Sequence, residues 1–164
     1  MAVWRGVVAG SVGGAIAAGA MSVVHKGLAG MISPQRQPAQ SAEQQKGEDA
    51  TVRVDDGVTR WLLSRSLPEA KKPLASNVVH YAFGASVGGL YGGLATVAPR
   101  VALALGLPFG VVVWLGAHVI MVPTLGLAPP VTRQPPLKEA LEFVLHLVYG
   151  VVTELVRRLL WRAR

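Results

Sequence analysis

The chain has 164 residues, of which 51% are hydrophobic and only 15% are charged. Soluble domains carry about 25% charged residues, so this composition is typical of a membrane protein. The lack of Cys excludes disulfides, iron–sulfur clusters and thiolate metal sites. Although 16 Lys and Arg against 9 Asp and Glu give a net charge of +7, the basic residues flank apolar runs. Basic residues at the ends of apolar runs are typical of charges that orient a protein in the membrane, so we expect no nucleic-acid partner.

Four apolar runs, at about residues 6–24, 77–97, 106–123 and 137–160, divide the chain. At 1.5 Å per residue, each approaches the thickness of a bilayer's hydrocarbon core, about 30 Å. The runs predict an all-α integral membrane four-helix bundle, with residues 1–164 forming a single membrane domain. Small residues before Ala20 also allow the first run to be a signal peptide, but its charged region holds only Arg5, so a retained helix is favoured.

A polar insert, at about residues 27–76, separates the first two runs. Within it, Val54, Val58, Trp61 and Leu62 recur at helical spacing and predict an amphipathic helix. Two placements remain open for this helix. It lies along the membrane surface, or it packs against the outer rim of the bundle.

Small residues recur every four positions in the first two runs. In lipid, helices gain little from hiding apolar side chains, so close backbone contact through small residues drives their packing. We therefore expect both helices to be buried, either in the bundle or against a second copy or a membrane-complex partner. The predicted packing residues are Gly6, Gly10, Gly14, Gly84, Gly88 and Gly92.

The four histidines occupy related positions in the four runs. Because successive spans alternate in direction, all four side chains are expected in the same half of the bilayer. Ionisable groups inside a membrane are costly and usually face the bundle interior. The predicted polar pocket consists of His80, His118, Glu139, Glu142 and His146, with His25 at its rim.

Several roles are open for this pocket. Its side chains can hydrogen-bond across helices and hold the bundle in register, or respond to protons, since histidine titrates near neutral pH. Imidazole and carboxylate groups also suit a metal ion, and two histidines on different helices suit a haem. We expect no bound cofactor. We also expect no enzyme activity, because the Gly-rich stretches lack the Gly-Lys-Ser/Thr of a phosphate loop and no nucleophile motif is present.

The C-terminal end of the fourth run is strongly basic. Glu154 and Arg158 are four residues apart on one helix face, with Arg157 and Trp161 beside them, and this group predicts an interfacial anchor. The density of arginine in the tail favours both termini in the cytoplasm.

An ordered series of residues in the C-terminal half carries a family resemblance. The series is His80, Tyr91, Pro99, Gly110, His118, Pro123-x-x-Gly126-x-x-Pro129-Pro130, Glu142-x-x-x-His146 and Glu154-x-x-Arg157-Arg158. In these positions the chain resembles the YagU-like family of small, uncharacterised bacterial inner-membrane proteins. The resemblance covers about residues 79–164 and, more weakly, 6–27. It implies a fold and an inner-membrane location, but no chemistry.

The sequence therefore favours a structural or accessory multi-pass inner-membrane protein, with pH responsiveness through its His/Glu pocket. The alternative is a small transporter or a proton or ion pathway. That function requires a solvated route from the pocket to Glu154, past Tyr91 and Thr96. A metal- or haem-binding membrane subunit is a further alternative.

Overall fold

The computed structural model describes residues 2–32, 72–125 and 129–162. Within these ranges all regular structure is helical and no strand occurs, which confirms the predicted all-α class. The amphipathic helix predicted around residues 54–62 lies outside the described residues.

Four long helices build the part of the fold that the structure describes. Helix α1 is Ala2–Ile32, α2 is Lys72–Val97 and α4 is Pro136–Arg162. Helix α3 comprises three consecutive parts, Leu107–Val113, Trp114–Met121 and Val122–Thr124. Its middle part is π-helical, with wider turns than an α-helix.

Helices α1 and α2 pack antiparallel with their backbones in contact. A Cβ added to Gly10 would overlap the carbonyl oxygen of Gly88, and one added to Gly14 would overlap that of Gly84. At the next turn, Gly92 meets the carbonyl oxygen of Gly6 in the same way. The six predicted packing glycines therefore face one another within a single chain.

Helix α4 packs antiparallel against both α1 and α3. A Cβ on Gly13 would lie 2.7 Å from the carbonyl oxygen of Thr153. Gly150 meets the backbone of Gly106, and a Cβ there would lie 3.0 Å from the Cα of Gly110. Neighbouring helices thus alternate in direction, so the N-termini of α1 and α3 share one end of the bundle with the C-termini of α2 and α4.

The segment that joins α2 to α3, Pro99–Gly106, contains a strained turn. Ala104, Leu105 and Gly106 have φ of 48°, 54° and 80°. Left-handed backbone costs little at Gly106 but is unfavourable at the two residues that carry a Cβ. Nη2 of Arg158 donates to the carbonyl oxygen of Ala102 at 2.9 Å, which ties this turn to α4.

Two segments of the described chain are long and apolar enough to cross a membrane, Ala2–Leu28 and Pro99–Thr124. Their mean hydropathies over 18 residues are 1.8 and 2.0. Large apolar side chains also cover the outside of the bundle; Leu90, for example, is 75% exposed. Exposed apolar surface on this scale is typical of a membrane or interaction surface. Length, composition and surface together support membrane association.

Candidate polar site at the histidine end

The contact between His118 and Glu139 joins α3 to α4 at one end of the bundle. Nε2 of His118 donates to Oε2 of Glu139 at 3.1 Å. Both side chains are largely buried, with exposed fractions of 20% and 14%. Because buried charges require partners, this pair is the best-defined polar contact between α3 and α4 at this end.

His146 lies next to this pair. Its ring centroid is 5.8 Å from that of His118. Its Nδ1 donates to the backbone carbonyl of Glu142 at 2.7 Å. We expected the side chains of Glu142 and His146 to meet, but the imidazole bonds to the backbone carbonyl instead. Helical side chains lean toward the preceding turn, where that carbonyl lies. With Nδ1 acting as donor, Nε2 of the neutral ring is an acceptor.

The other two histidines lie at the same end but outside the His118–His146 pair. Nε2 of His80 donates to the backbone carbonyl of Ala18 at 3.3 Å and so links α2 to α1. His25 lies about two turns beyond Ala18 on α1 and is exposed. The alternation of helix directions gathers all four rings toward one end, but only His118 and His146 stand ring to ring.

Trp114 completes the cluster. Its ring stacks on that of His118 with centroids 6.5 Å apart and meets Phe143 edge-on at 5.0 Å. Two buried atoms of this cluster, Nε1 of Trp114 and Oε1 of Glu139, have no hydrogen-bond partner among the described residues. Leaving such an atom unpaired costs about 1–3 kcal/mol.

The π-helical segment Trp114–Met121 carries both Trp114 and His118. Pro123 follows it at a distance of two residues, lacks an N–H group and disfavours a regular α-helical turn before it. Segments of π-helix occur frequently at functional sites. This π-helical segment was not predicted from the sequence, although Pro123 indicates an irregular helix before it.

The described residues contain no group of three or more His, Asp or Glu side chains placed to hold a metal ion. The ring of His118 bonds to a carboxylate, whereas the rings of His80 and His146 each bond to a backbone carbonyl. Their rings are therefore engaged in separate contacts between or within helices, and no observation favours the metal or haem alternatives.

The opposite end of the bundle holds a buried carboxylate. Glu154 has no exposed surface. It accepts hydrogen bonds from the Tyr91 hydroxyl at 2.8 Å, from Nε and Nη2 of Arg157 at 2.7 and 2.8 Å, and from Nε of Arg158. The sequence predicted the Glu154–Arg158 contact as part of a surface anchor, whereas the structure buries the carboxylate and adds Tyr91.

The predicted anchor residue Trp161 lies beside this cluster. The Arg5 guanidinium stands 5.5 Å above the centroid of its ring. A cation over an aromatic face is attracted to the ring's electrons, so this contact ties the start of α1 to the end of α4.

Aromatic rings fill the space between the two ends. Tyr91 stacks on Phe109 with centroids 4.1 Å apart, and Phe109 meets Tyr149 at 5.7 Å. The Tyr149 hydroxyl donates to the carbonyl oxygen of Gly84 at 2.6 Å. The Thr96 hydroxyl bonds to the carbonyl of Gly92 in its own helix. Along the route that a transporter would need, Tyr91 is stacked on Phe109 and bonded to Glu154, and Thr96 is bonded within its own helix.

Over the described ranges, these features define a helical protein with two apolar, membrane-length segments and a polar cluster at each end. The chain belongs to the DUF1440 family, which is described as a protein of unknown function. The model of this family matches residues 21–155. No curated protein and no solved structure matches the chain. The matched range includes the histidine cluster and Glu154.

Proposed function

We propose that the protein is a structural or accessory multi-pass membrane protein in which all four helices cross the bilayer. The resemblance to YagU-like proteins supports a bacterial inner membrane, and the tail arginines favour both termini in the cytoplasm. The alternating helix directions and the glycine contacts support a rigid bundle. In this proposal, the histidine end makes the pairing of α3 and α4 dependent on pH.

The His118–Glu139 contact carries the pH proposal. Histidine is the side chain whose charge most readily changes near neutral pH. A protonated His118 beside the Glu139 carboxylate forms an ion pair, in which both partners of the hydrogen bond are charged. We therefore expect the α3–α4 pairing to strengthen as the solution is acidified from pH 8 to pH 6.

The other ionisable groups at this end set the limits of the effect. His146 on α4 faces His118, while His80 on α2 and Glu142 on α4 lie around them; α1 contributes only the Ala18 carbonyl to these contacts. A positive charge on His146 would repel a positive charge on His118, since the centroids of the two rings are 5.8 Å apart. Glu139, at 3.1 Å, is closer to His118 than that ring, so attraction dominates for the first proton.

The test is the pH dependence of stability in detergent micelles. Between pH 8 and pH 6 the parent is expected to gain unfolding free energy, measured by titration with a denaturing detergent. His118→Gln keeps a hydrogen-bonding side chain but cannot be charged, so this gain should disappear. His25→Gln, at the exposed histidine, serves as the control and should retain it. A His118→Gln profile parallel to that of the parent would refute the proposal.

A further inference from the structure

An open groove runs between the two outer helices, α2 and α3. Its volume is about 340 Å³, and carbon atoms form nearly all of its surface. The lining includes Phe83, Val87, Leu94, Phe109, Val112 and Ala117. We propose that this groove binds one acyl chain of an anionic phospholipid whose phosphate lies against the arginines at the end of the bundle.

The dimensions of the groove favour an extended chain as its occupant. From Phe83 to Leu94 the groove follows α2 for about 16 Å, at 1.5 Å per residue. A single acyl chain is narrow, flexible and apolar, and it matches both the shape and the chemistry of the groove.

The charge at one end of the groove favours an anionic head group. The groove's lining extends toward this end as far as Leu94 on α2 and Phe109 on α3, and five arginines lie at this end of the bundle. Glu154 is the single acidic residue at this end within the described ranges, and Arg157 and Arg158 already neutralise it. The five arginines are Arg5, Arg100, Arg157, Arg158 and Arg162.

Arginine is well suited to this role because its guanidinium group pairs with phosphate through two parallel hydrogen bonds. Arg100 is exposed and lies three residues beyond Val97, the last residue of α2, so it is the arginine closest in sequence to the groove. We assign the main phosphate contact to Arg100.

The joining segment supplies a second, independent indication of lipid. Leu103 and Leu105 are 62% and 46% exposed, although they lie beside Arg100 in the sequence. Exposed leucines next to arginine suit the boundary between acyl chains and head groups. Leu105 also has a left-handed backbone conformation, and strained backbone of this kind clusters at functional sites.

This inference rests on the proposal that the bundle lies in a membrane. The test measures lipid binding to the full-length protein in detergent micelles by native mass spectrometry. The probes are phosphatidylglycerol and phosphatidylcholine with identical acyl chains, and inorganic phosphate in a separate arm. We expect about a tenfold preference for the anionic lipid and no binding of inorganic phosphate alone.

Two variants separate the two parts of the site. Arg100→Gln should abolish the preference for phosphatidylglycerol while leaving chain binding intact. Val112→Trp, which fills the groove, should reduce the binding of both lipids. Lys138→Gln, a loss of one exposed positive charge at the opposite end, is the matched control and should leave the preference unchanged.

Other outcomes would overturn the inference. Equal binding of the two lipids, or binding of inorganic phosphate alone, would remove the anionic lipid as the ligand. A parent dimer that Val112→Trp dissociates would show that a second copy covers the groove. If labelling from the two sides of the membrane shows four crossings but the lipid preference is absent, this inference fails and the proposed function survives.

Discussion

The two ends of the bundle are built from the same helices but differ in how fully their polar groups are used. At the arginine end, Glu154 has no exposed surface, and its oxygens accept bonds from Tyr91, Arg157 and Arg158. At the histidine end, Glu139 is 14% exposed, and only one of its two oxygens is bonded. A carboxylate with both oxygens bonded favours a single arrangement of its partners.

The comparison is a matched one because both carboxylates project from α4. Glu139 lies near the start of the helix and Glu154 near its end, so helix type and chain context are shared. The difference lies in the number of partners, which come from α4 itself and from α2 at one carboxylate but from α3 alone at the other. Arg157, Arg158 and Tyr91 surround one carboxylate, and His118 alone bonds to the other. We therefore assign an anchoring role to the arginine end and the pH response to the histidine end.

The largest effect is expected from Glu154→Gln. The change removes the negative charge and leaves two guanidinium groups, one of them only 12% exposed, without a counter-charge. Breaking a buried ion pair in this way costs about 3–5 kcal/mol. Glu139→Gln is the matched variant and should cost about 1 kcal/mol at pH 7, since it weakens one hydrogen bond. Equal losses of unfolding free energy for the two variants would contradict the distinction between the ends.

A smaller loss is expected from Gly10→Ala, which perturbs the glycine contacts that hold α1 against α2 along the bundle. The added methyl group would overlap the carbonyl oxygen of Gly88, so the helices must move apart at a cost of about 1–3 kcal/mol. Gly27, also on α1, has nothing within 4 Å of an added Cβ. Gly27→Ala should leave the melting temperature unchanged or raise it, because alanine favours helix. A similar shift for both variants would argue against backbone contact.

Tyr91→Phe tests the contribution of a single hydrogen bond at the arginine end, and a small loss of unfolding free energy is expected. It removes one hydrogen bond to a charged group, a change of about 1–2 kcal/mol, and keeps the ring stacked on Phe109. Tyr81→Phe, at a 40%-exposed tyrosine of the same helix, should have little effect. In a double-mutant cycle, the variant that carries both Tyr91→Phe and Glu154→Gln should lose less unfolding free energy than the sum of the two single losses. Strict additivity would indicate that the Tyr91 hydroxyl and Glu154 act independently.

Residues whose position depends only on helix periodicity and direction were accessible from the sequence. The spacing of four in Gly6, Gly10 and Gly14 places these residues on one face of a helix, whatever its partner. Alternation of direction likewise predicts that His80, His118 and His146 lie toward one end. Neither prediction required knowledge of how the helices rotate about their axes.

Features that depend on helix rotation or on local backbone were not accessible. The bond between Tyr91 and Glu154 links residues 63 positions apart and requires the observed facing of α2 and α4. The left-handed backbone at Ala104 and Leu105 lacks the Gly or Asn that normally signals it. The choice of His146 between the carboxylate and the carbonyl of Glu142 is set by a rotamer, which spacing alone does not specify.

The central claim, that four alternating crossings separate an arginine end from a histidine end, is testable by thiol labelling because the chain has no Cys. Single cysteines replace four exposed residues, Arg100 and Arg162 at one end and Lys26 and Arg133 at the other. A membrane-impermeant maleimide is then applied to sealed vesicles of known orientation. The account predicts that positions 100 and 162 react from one side and positions 26 and 133 from the opposite side. Labelling of all four positions from the same side would contradict it.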